Sequence, residues 1–151
     1  MKCSKRVDVV KVQIVKETSI KYMDRVIKSP DEAGSLIKYF IGKPDREQFG
    51  VMCIDTKGQP TNISIVAVGD LNCTIVHPRE VFKTAILSNA AAVILFHNHP
   101  SGIESPSMED KNITKRLCDA GLILGIKVLD HVILGDMKTF SFKNNGLVLE
   151  E

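Results

Sequence analysis

Two histidines and an aspartate are spaced along the chain as ligands of a catalytic metal ion are. His97 and His99 follow the apolar run AAVILF, and ten residues separate His99 from Asp110. If the run is a strand, both histidines lie on one face with their Cα atoms about 6.5–7 Å apart. The loop SGIESP then lets the chain turn back, so that Asp110, in the first turn of a helix, can face the histidine pair.

This set of donor atoms suits zinc. Two imidazole nitrogens and one carboxylate oxygen leave the fourth tetrahedral position to water, which is the pattern of catalytic zinc sites. The same set also binds Fe(II). A simpler interpretation is that Ser107 is only an N-cap and that Asp110 is only favoured by the positive end of the helix. The two interpretations are compatible, because Ser107 can cap the helix while Asp110 binds a metal.

Other sites with similar histidine strings fit this segment less well. The string His97-Asn98-His99 is not an HNH nuclease motif, because those three letters name residues far apart in the chain. A metallo-β-lactamase-like site needs an acid and a further histidine directly after the pair, and a zinc deaminase needs His-x-Glu and Pro-Cys-x-x-Cys. Both patterns are absent. An amidohydrolase barrel needs about 250 residues, and this chain has 151.

The elements that must position these residues are those of an α/β or α+β protein. Capping residues or prolines at Ser29, Pro78 and Ser107 predict three helix starts, and glycines at Gly42 and Gly121 predict two helix ends. Alternating or continuous apolar runs predict the strands. The predicted helices are 30–41, 78–89 and 107–120, and the predicted strands are 7–16, 47–55, 63–69, 71–76, 91–99, 126–135 and 139–142. This order predicts a mixed sheet flanked by helices.

Composition indicates one ordinary globular domain. The 151 residues are 44% hydrophobic and 25% charged, which is enough to bury a core. The net charge of +2 does not support nucleic acid or an anionic membrane as the main partner. No apolar run follows the basic N-terminus, so neither a signal peptide nor a membrane helix is predicted. Four cysteines without a CxxC pair are typical of free thiols in a reducing cytoplasm.

The motif around the histidines resembles a known family. The string HNHPSGIESPSMED resembles the His-x-His-Pro … Pro-Ser-x-x-Asp signature of the JAB/MPN+ (JAMM) metalloprotease domains. The longer VHPREVFKTAILSNAAAVILFHNHPSG, together with LDHVILGD, is similar to the RadC branch in particular. The resemblance covers roughly residues 30–145. It implies a JAB/MPN-type fold, a curved mixed sheet flanked by helices with cytidine-deaminase-like architecture. Residues 1–29 are then expected to form an N-terminal strand and extension packed on a domain of residues 30–151.

The resemblance also assigns roles to particular residues. It implies one zinc ion per chain, bound by His97, His99 and Asp110. It implies that Glu47, which lies at the start of the strand after the first helix, hydrogen-bonds the attacking water and acts as the base. It implies that Ser107 helps to stabilise the tetrahedral intermediate. The implied activity is hydrolysis of an amide bond in a peptide or protein, as a metallopeptidase or isopeptidase.

Other residues compete for some of these roles. Glu80, Glu104 and Glu109 are alternative bases, although Glu80 opens a helix, where an acid is favoured in any case. Glu109 neighbours Asp110 on a helix, so its side chain points about 100° away. His131, inside a predicted strand, is either a histidine at the edge of the core or a support for a metal ligand.

The residues between and after the histidines have structural expectations. Asn98 should point away from the face that carries His97 and His99, so it is not predicted to be a ligand. Gly102 most simply supplies backbone freedom to the loop. His77 precedes Pro78 at a helix entrance, where a turn or capping role is expected.

A second class of function competes with hydrolysis. The chain can instead be a non-catalytic adaptor that keeps the JAB fold and binds nucleic acid or protein, in DNA repair or in mobile-element or defence systems. RadC-type proteins generally carry a further helical, DNA-binding-like region before this domain, and the sequence before residue 30 does not resemble it. The weak net charge argues against DNA, and the complete ligand set argues against a metal-free scaffold.

Overall fold

The computed structural model describes residues 4–69 and 75–148 of the chain. The helices in this range are α1 (Pro30–Ile41), α2 (Pro78–Leu87) and α3 (Met108–Leu124). The strands are β1 (Gln48–Ile54), β2 (Pro60–Val68), β3 (Ala92–Asn98), β4 (Lys127–Leu134) and β5 (Thr139–Ser141). None of these helices combines the length and the apolar character that a helix needs to cross a bilayer.

The strands form one mixed sheet in the order β2-β1-β3-β4-β5. β3 and β4 are parallel, and the other neighbouring pairs are antiparallel. β1 and β2 form a hairpin whose turn is closed by the Gly58 N–H, which donates to the Asp55 carbonyl at 3.1 Å. The parallel pair is connected through α3, because a parallel connection needs a long crossover.

The sheet is covered by helices on both faces. Alternate residues of β3 divide between two buried clusters: Val93 and Leu95 pack with α2 and α3, whereas Ile94 and Phe96 pack with α1. The period of two along the strand is therefore visible in the core itself. His97 continues the series of Val93 and Leu95, which places it on the face covered by α3. The prediction of a mixed sheet flanked by helices is confirmed.

The predicted strand over residues 7–16 is wrong. The segment has no strand pairing, and Val7, Val9 and Val12 are at least 74% exposed. Its alternating pattern describes a side-chain arrangement that suits a strand, but a strand also needs an edge to pair with, and no described strand accepts this one. Ile27 connects this segment to the sheet layers: its N–H donates to the Gly58 carbonyl, and its side chain packs on the α1 side. The expected boundary at residue 30 stays a prediction.

The end of α3 also differs from the prediction. Gly121 lies inside the helix, and Gly125, with φ of 71°, caps it instead. A side chain at Gly121 would collide with the Ile126 carbonyl and approach Phe82, so this glycine allows α3 to pack closely and does not end it. Helix α1 has its predicted bounds, and the other predicted helices and strands are present with shifted ends, except 71–76. Residues 70–74 lie outside the described range, and 75–77 have no regular structure.

The cysteines in the described range agree with the expectation of free thiols. Cys53 is buried and Cys118 is partly buried, and neither forms a disulfide. Burial raises the pKa of both thiols above the ordinary value, so both favour the unreactive thiol form.

Candidate metal centre

The site forms where the end of β3 meets the start of α3. His97 is the next-to-last residue of β3, and Asp110 lies in the first turn of α3. The His97 Nε2 is 2.9 Å from the His99 Nε2 and 3.2 Å from the Asp110 Oδ1. The His99 Nε2 is 3.3 Å from the Asp110 Oδ2. One ligand atom from each residue lies within 4.8 Å of the others, so the three side chains form a group that can hold a metal ion.

Local capping holds Asp110 in this position. The Ser107 hydroxyl accepts a hydrogen bond from the Asp110 N–H at 3.1 Å, and the Ser107 N–H donates to the Asp110 Oδ2 at 2.8 Å. This reciprocal capping box satisfies two backbone donors of the helix end and fixes the rotamer of the carboxylate. The capping interpretation and the metal interpretation therefore describe the same side chain, as the sequence allowed.

The loop after β3 orients His99. The His99 Nδ1 is 2.7 Å from the Ile103 carbonyl oxygen. A carbonyl oxygen only accepts hydrogen bonds, so the Nδ1 carries the proton. In the neutral ring the Nε2 then has a lone pair, and it faces the other ligand atoms. Gly102, with φ of 81°, makes this turn possible because few other residues adopt that conformation.

The charges in the cluster influence one another. Hydrogen bonding to Asp110 raises the pKa of His99 against the opposing effect of burial, and the nearby Glu47 carboxylate raises it further. Burial acts to raise the pKa of Asp110, but the neighbouring rings of His97 and His99 outweigh it and lower that pKa far below the ordinary range. Asp110 is therefore an anion at neutral pH, and the cluster of donor atoms around it favours a cation.

These donor atoms fit zinc. Two imidazole nitrogens and one carboxylate oxygen converge, and three protein ligands are the number that a catalytic zinc site uses. His97 is buried, whereas His99 and Asp110 have side chains that are 16% and 13% exposed. The open side of the cluster therefore faces solvent, as a site that admits water and a substrate must.

Glu47 lies one residue before β1, the strand that pairs with the histidine-bearing β3. In the antiparallel pairing of β1 with β3, Phe49 is opposite His97, and the backbone N–H of Gln48 donates to the Asn98 Oδ1. Continuing this register places Glu47 opposite His99. Its charge acts on His99. Glu80 instead pairs with Lys83 at 2.8 Å on α2.

Asn98 points away from the ligands, as predicted. Its Oδ1 accepts from the Gln48 N–H at 2.7 Å, and its Nδ2 donates to the Arg46 carbonyl at 3.1 Å. The side chain therefore contacts the chain on both sides of Glu47. His77 does occupy an N-cap position, but its side chain makes no capping hydrogen bond.

His131 lies directly behind His97. The His97 Nδ1 is 2.8 Å from the His131 Nε2, and the other ring nitrogen of His131 contacts the Thr114 hydroxyl. His131 is fully buried, and this burial holds its pKa well below the ordinary value. The sequence allows either a core role or a supporting role for His131, and the structure places its ring against a candidate ligand.

A β-bulge gives His131 this orientation. Val128 packs on the side of α3, and in a regular strand a residue three positions later would point to the opposite face. The pairing of β3 with β4 shifts register between Val93 and Ile94, so that His131 also faces α3. Bulges often re-aim a side chain beside a functional site in this way.

Sequence analysis missed Thr114. It is buried on α3, four residues after Asp110 and three before Leu117, and those spacings put the three residues on one helix face. The signal that could have found it is a polar residue on the buried face of a helix, one turn after a candidate ligand.

Comparison with known proteins places the chain in a family. The model of the RadC-like JAB domain matches residues 27–147. A UPF0758 protein of Desulfitobacterium hafniense is 50% identical over 123 residues, which are 82% of this chain and 54% of that protein. A UPF0758 protein of Methanosarcina barkeri is 42% identical over 132 residues, 87% of this chain and 58% of that protein. The chain thus spans about half the length of the curated relatives that it matches. It belongs to the family of RadC-like JAB domains.

Proposed function

We propose that this chain is a zinc-dependent hydrolase of amide bonds, a metallopeptidase or isopeptidase. The observation that carries the proposal is the convergence of His97, His99 and Asp110 within 4.8 Å at the mouth of a RadC-like JAB domain. A structural zinc site is closed by four protein ligands, whereas the described residues bring three together in a group that opens to solvent.

The three side chains would hold the metal through the His97 Nε2, the His99 Nε2 and the Asp110 carboxylate. When bound, a zinc ion supplies Lewis acidity, which polarises a carbonyl group and lowers the pKa of water at the site. The capping box and the Ile103 carbonyl keep the carboxylate and the His99 ring in place. Little reorganisation is then needed when the metal binds.

Glu47 is the proposed base. Two observations support this role: the register of β1 and β3 continues to Glu47 opposite His99, and the Glu47 charge acts on the His99 ring. The carboxylate takes a proton from a water molecule as the water oxygen attacks the amide carbonyl, and then gives the proton to the leaving nitrogen. Such a positioned acid–base group accelerates a reaction by about 10²–10⁴-fold.

Ser107 is proposed to stabilise the carbonyl oxygen as negative charge develops on it. Its oxygen already accepts from the Asp110 N–H, and a hydroxyl can accept and donate at the same time. Its proton can therefore point to the substrate oxygen while the cap stays intact. Donors fixed in advance at such a position stabilise the transition state more than the ground state.

The test combines metal analysis with a search for products. Purified chain should contain about one zinc, and chain loaded with zinc should be incubated with a proteome-derived peptide library and with isopeptide-linked conjugates. Mass spectrometry should find new N-termini or lost isopeptide links with the wild type that are absent with Glu47→Gln. Identical product sets from the two proteins, or a wild type that fails to bind zinc, would contradict the proposal.

A salt titration separates this proposal from the adaptor alternative. Contacts to phosphate release counterions, so binding to DNA through them weakens steeply as salt rises. A hydrolase should show no tight, salt-sensitive binding to a DNA duplex. Tight binding of that kind, together with no cleavage of any peptide or conjugate, would favour an adaptor instead.

A further inference from the structure

A buried chain of hydrogen bonds connects two candidate metal ligands behind the site. It runs from the ring of His97 through His131 and Thr114 to the backbone carbonyl of Asp110. The residues come from three elements, β3, β4 and α3. The His131 ring is also held by stacking: the Phe142 ring lies on it with centroids 4.7 Å apart and planes 13° apart.

The direction of this chain follows from its last step. The Thr114 hydroxyl is 2.6 Å from the Asp110 carbonyl oxygen, and a carbonyl oxygen cannot donate. The Thr114 hydroxyl therefore donates its proton to the Asp110 carbonyl. Its oxygen must then accept the Nδ1–H of His131. A neutral imidazole has one N–H, so the His131 Nε2 is an acceptor.

The tautomer of His97 follows from the tautomer of His131. The His131 Nε2 accepts, so the His97 Nδ1 must donate to it across their 2.8 Å contact. The remaining nitrogen of His97, its Nε2, then carries a lone pair. That atom is the one that lies 2.9 Å from the His99 Nε2 and 3.2 Å from the Asp110 Oδ1. The hydrogen bonds of the chain together therefore select the His97 tautomer whose Nε2 lone pair faces the metal position.

We propose that His131 and Thr114 are positioning residues that fix His97 in its metal-binding tautomer and tie it to the first turn of α3, which carries Asp110. The two ligands are then set relative to each other before a metal arrives. The inference rests on the proposed metal-dependent function, but it concerns a property of the metal-free protein that needs no substrate.

Nothing else in the described surroundings replaces His131 as the partner of His97. Phe49 stacks on the His97 ring with planes 12° apart, and it also meets His131 edge-on. These rings exclude water from a fully buried pair. If the acceptor is lost, the His97 Nδ1–H has no other hydrogen-bond partner among residues 4–69 and 75–148, and the ring gains by moving its proton to the Nε2. That proton occupies the position of the metal.

The expected effect is on metal affinity. Partners of this kind behind a ligand are typically worth about 10–100-fold in affinity. His131→Phe keeps a ring in the Phe142 stack and removes both nitrogens. Thr114→Val keeps the shape and removes the hydroxyl, which lets the proton of His131 move to its other nitrogen. Thr114→Ser keeps the hydroxyl and serves as the rescue variant.

Two measurements test the proposal. Zinc affinity is measured by competition with a chromogenic chelator, and histidine tautomers are measured by long-range ¹H–¹⁵N NMR on metal-free protein. We expect His97 to carry its proton on Nδ1 in the wild type, and on Nε2 in a large part of His131→Phe and Thr114→Val. Both variants should bind zinc about 10–100-fold more weakly, whereas Thr114→Ser should stay near the wild type. His77→Phe, at a partly exposed position at the N-terminus of α2, is the matched control and should change neither quantity.

The outcomes separate this inference from the proposed function. His131→Phe and Thr114→Val with wild-type zinc affinity and an unchanged His97 tautomer would overturn the positioning role. If His131→Phe does not fold, the pair Thr114→Val and Thr114→Ser decides, because equal zinc affinities in that pair would also overturn it. A wild type with the expected tautomers that binds zinc but cleaves nothing supports the positioning role and contradicts only the hydrolase.

Discussion

The side-chain amide of Asn98 accepts a hydrogen bond from the backbone N–H of Gln48 at 2.7 Å. The same amide donates to the Arg46 carbonyl at 3.1 Å, so one side chain holds the residues on both sides of Glu47. Asn98, the middle residue of the His-Asn-His string, therefore bonds to the chain at the start of β1, while the two histidines face the site. Its two bonds fix the backbone from which the proposed base projects.

Removal of the Asn98 amide should affect hydrolysis more than metal binding. Asn98→Ala leaves the partly buried Gln48 N–H and Arg46 carbonyl without this partner, which costs about 1 kcal/mol in the free energy of unfolding. Zinc content should stay near one, because no ligand is touched, while the hydrolysis rate falls as Glu47 loses its fixed position. Urea denaturation, elemental analysis and product formation check the three parts.

The matched control for this variant is Asn62→Ala. Asn62 lies on the edge strand β2, and its Oδ1 is buried without a hydrogen-bond partner among the described residues. Its loss should change the free energy of unfolding little. Equal destabilisation by the two variants, or equal hydrolysis by Asn98→Ala and wild type, would show that Asn98 does not position Glu47.

Glu47→Gln should separate metal binding from catalysis. The amide can still hydrogen-bond a water molecule but cannot accept its proton, so the rate should fall about 10²–10⁴-fold with zinc content unchanged. Glu80→Gln, which breaks only the surface pair with Lys83, is the control and should keep the wild-type rate. Wild-type hydrolysis by Glu47→Gln would make Glu104 the next candidate base.

The candidate site could be predicted from local sequence because its ligands are set by local rules. The period of two in a strand puts His97 and His99 on one face, and the cap at Ser107 places Asp110 in the first turn of α3. The role of Thr114 and the face to which His131 points could not be predicted from these local rules. They depend on which face of α3 meets the sheet and on a bulge between β3 and β4, and both are tertiary properties.

The fold likewise combines elements that local sequence predicts with features that depend on tertiary contacts. Helix starts at Ser29 and Pro78 follow from capping residues and prolines, whose effect is confined to a few neighbours. The segment 7–16 has the correct pattern for a strand, but a pattern cannot supply a partner. Gly121 has the correct type for a helix end, yet the close approach of Ile126 and Phe82 gives this glycine a different use.

Loss of a ligand should remove zinc, and one ligand should also affect the metal-free fold. His97→Ala and Asp110→Ala should each lower zinc content far below one per chain. Asp110→Ala should in addition destabilise the metal-free protein by about 1 kcal/mol, because it removes half of the capping box on α3. Elemental analysis and urea denaturation in the presence of a chelator measure the two effects. Full zinc in the double variant would rule out this site.

The last prediction concerns the loop that orients His99. Gly102 has φ of 81°, a backbone conformation that strains an alanine, and a side chain there would also displace the exposed Asp136 carboxylate. Gly102→Ala should therefore shift the loop and weaken the hydrogen bond between the His99 ring and the Ile103 carbonyl. We expect a loss of more than about 1 kcal/mol in the free energy of unfolding together with weaker zinc binding.

Gly146→Ala is the matched control for this loop variant. Gly146 also has a positive φ, of 67°, but a side chain there would meet nothing within 4 Å. It carries the backbone cost of alanine at positive φ without a collision, and it lies away from His99 along the chain. Both variants should lose stability in urea denaturation, but only Gly102→Ala should lose zinc affinity in the chelator competition. Equal zinc affinities in the two variants would mean that the loop does not orient His99.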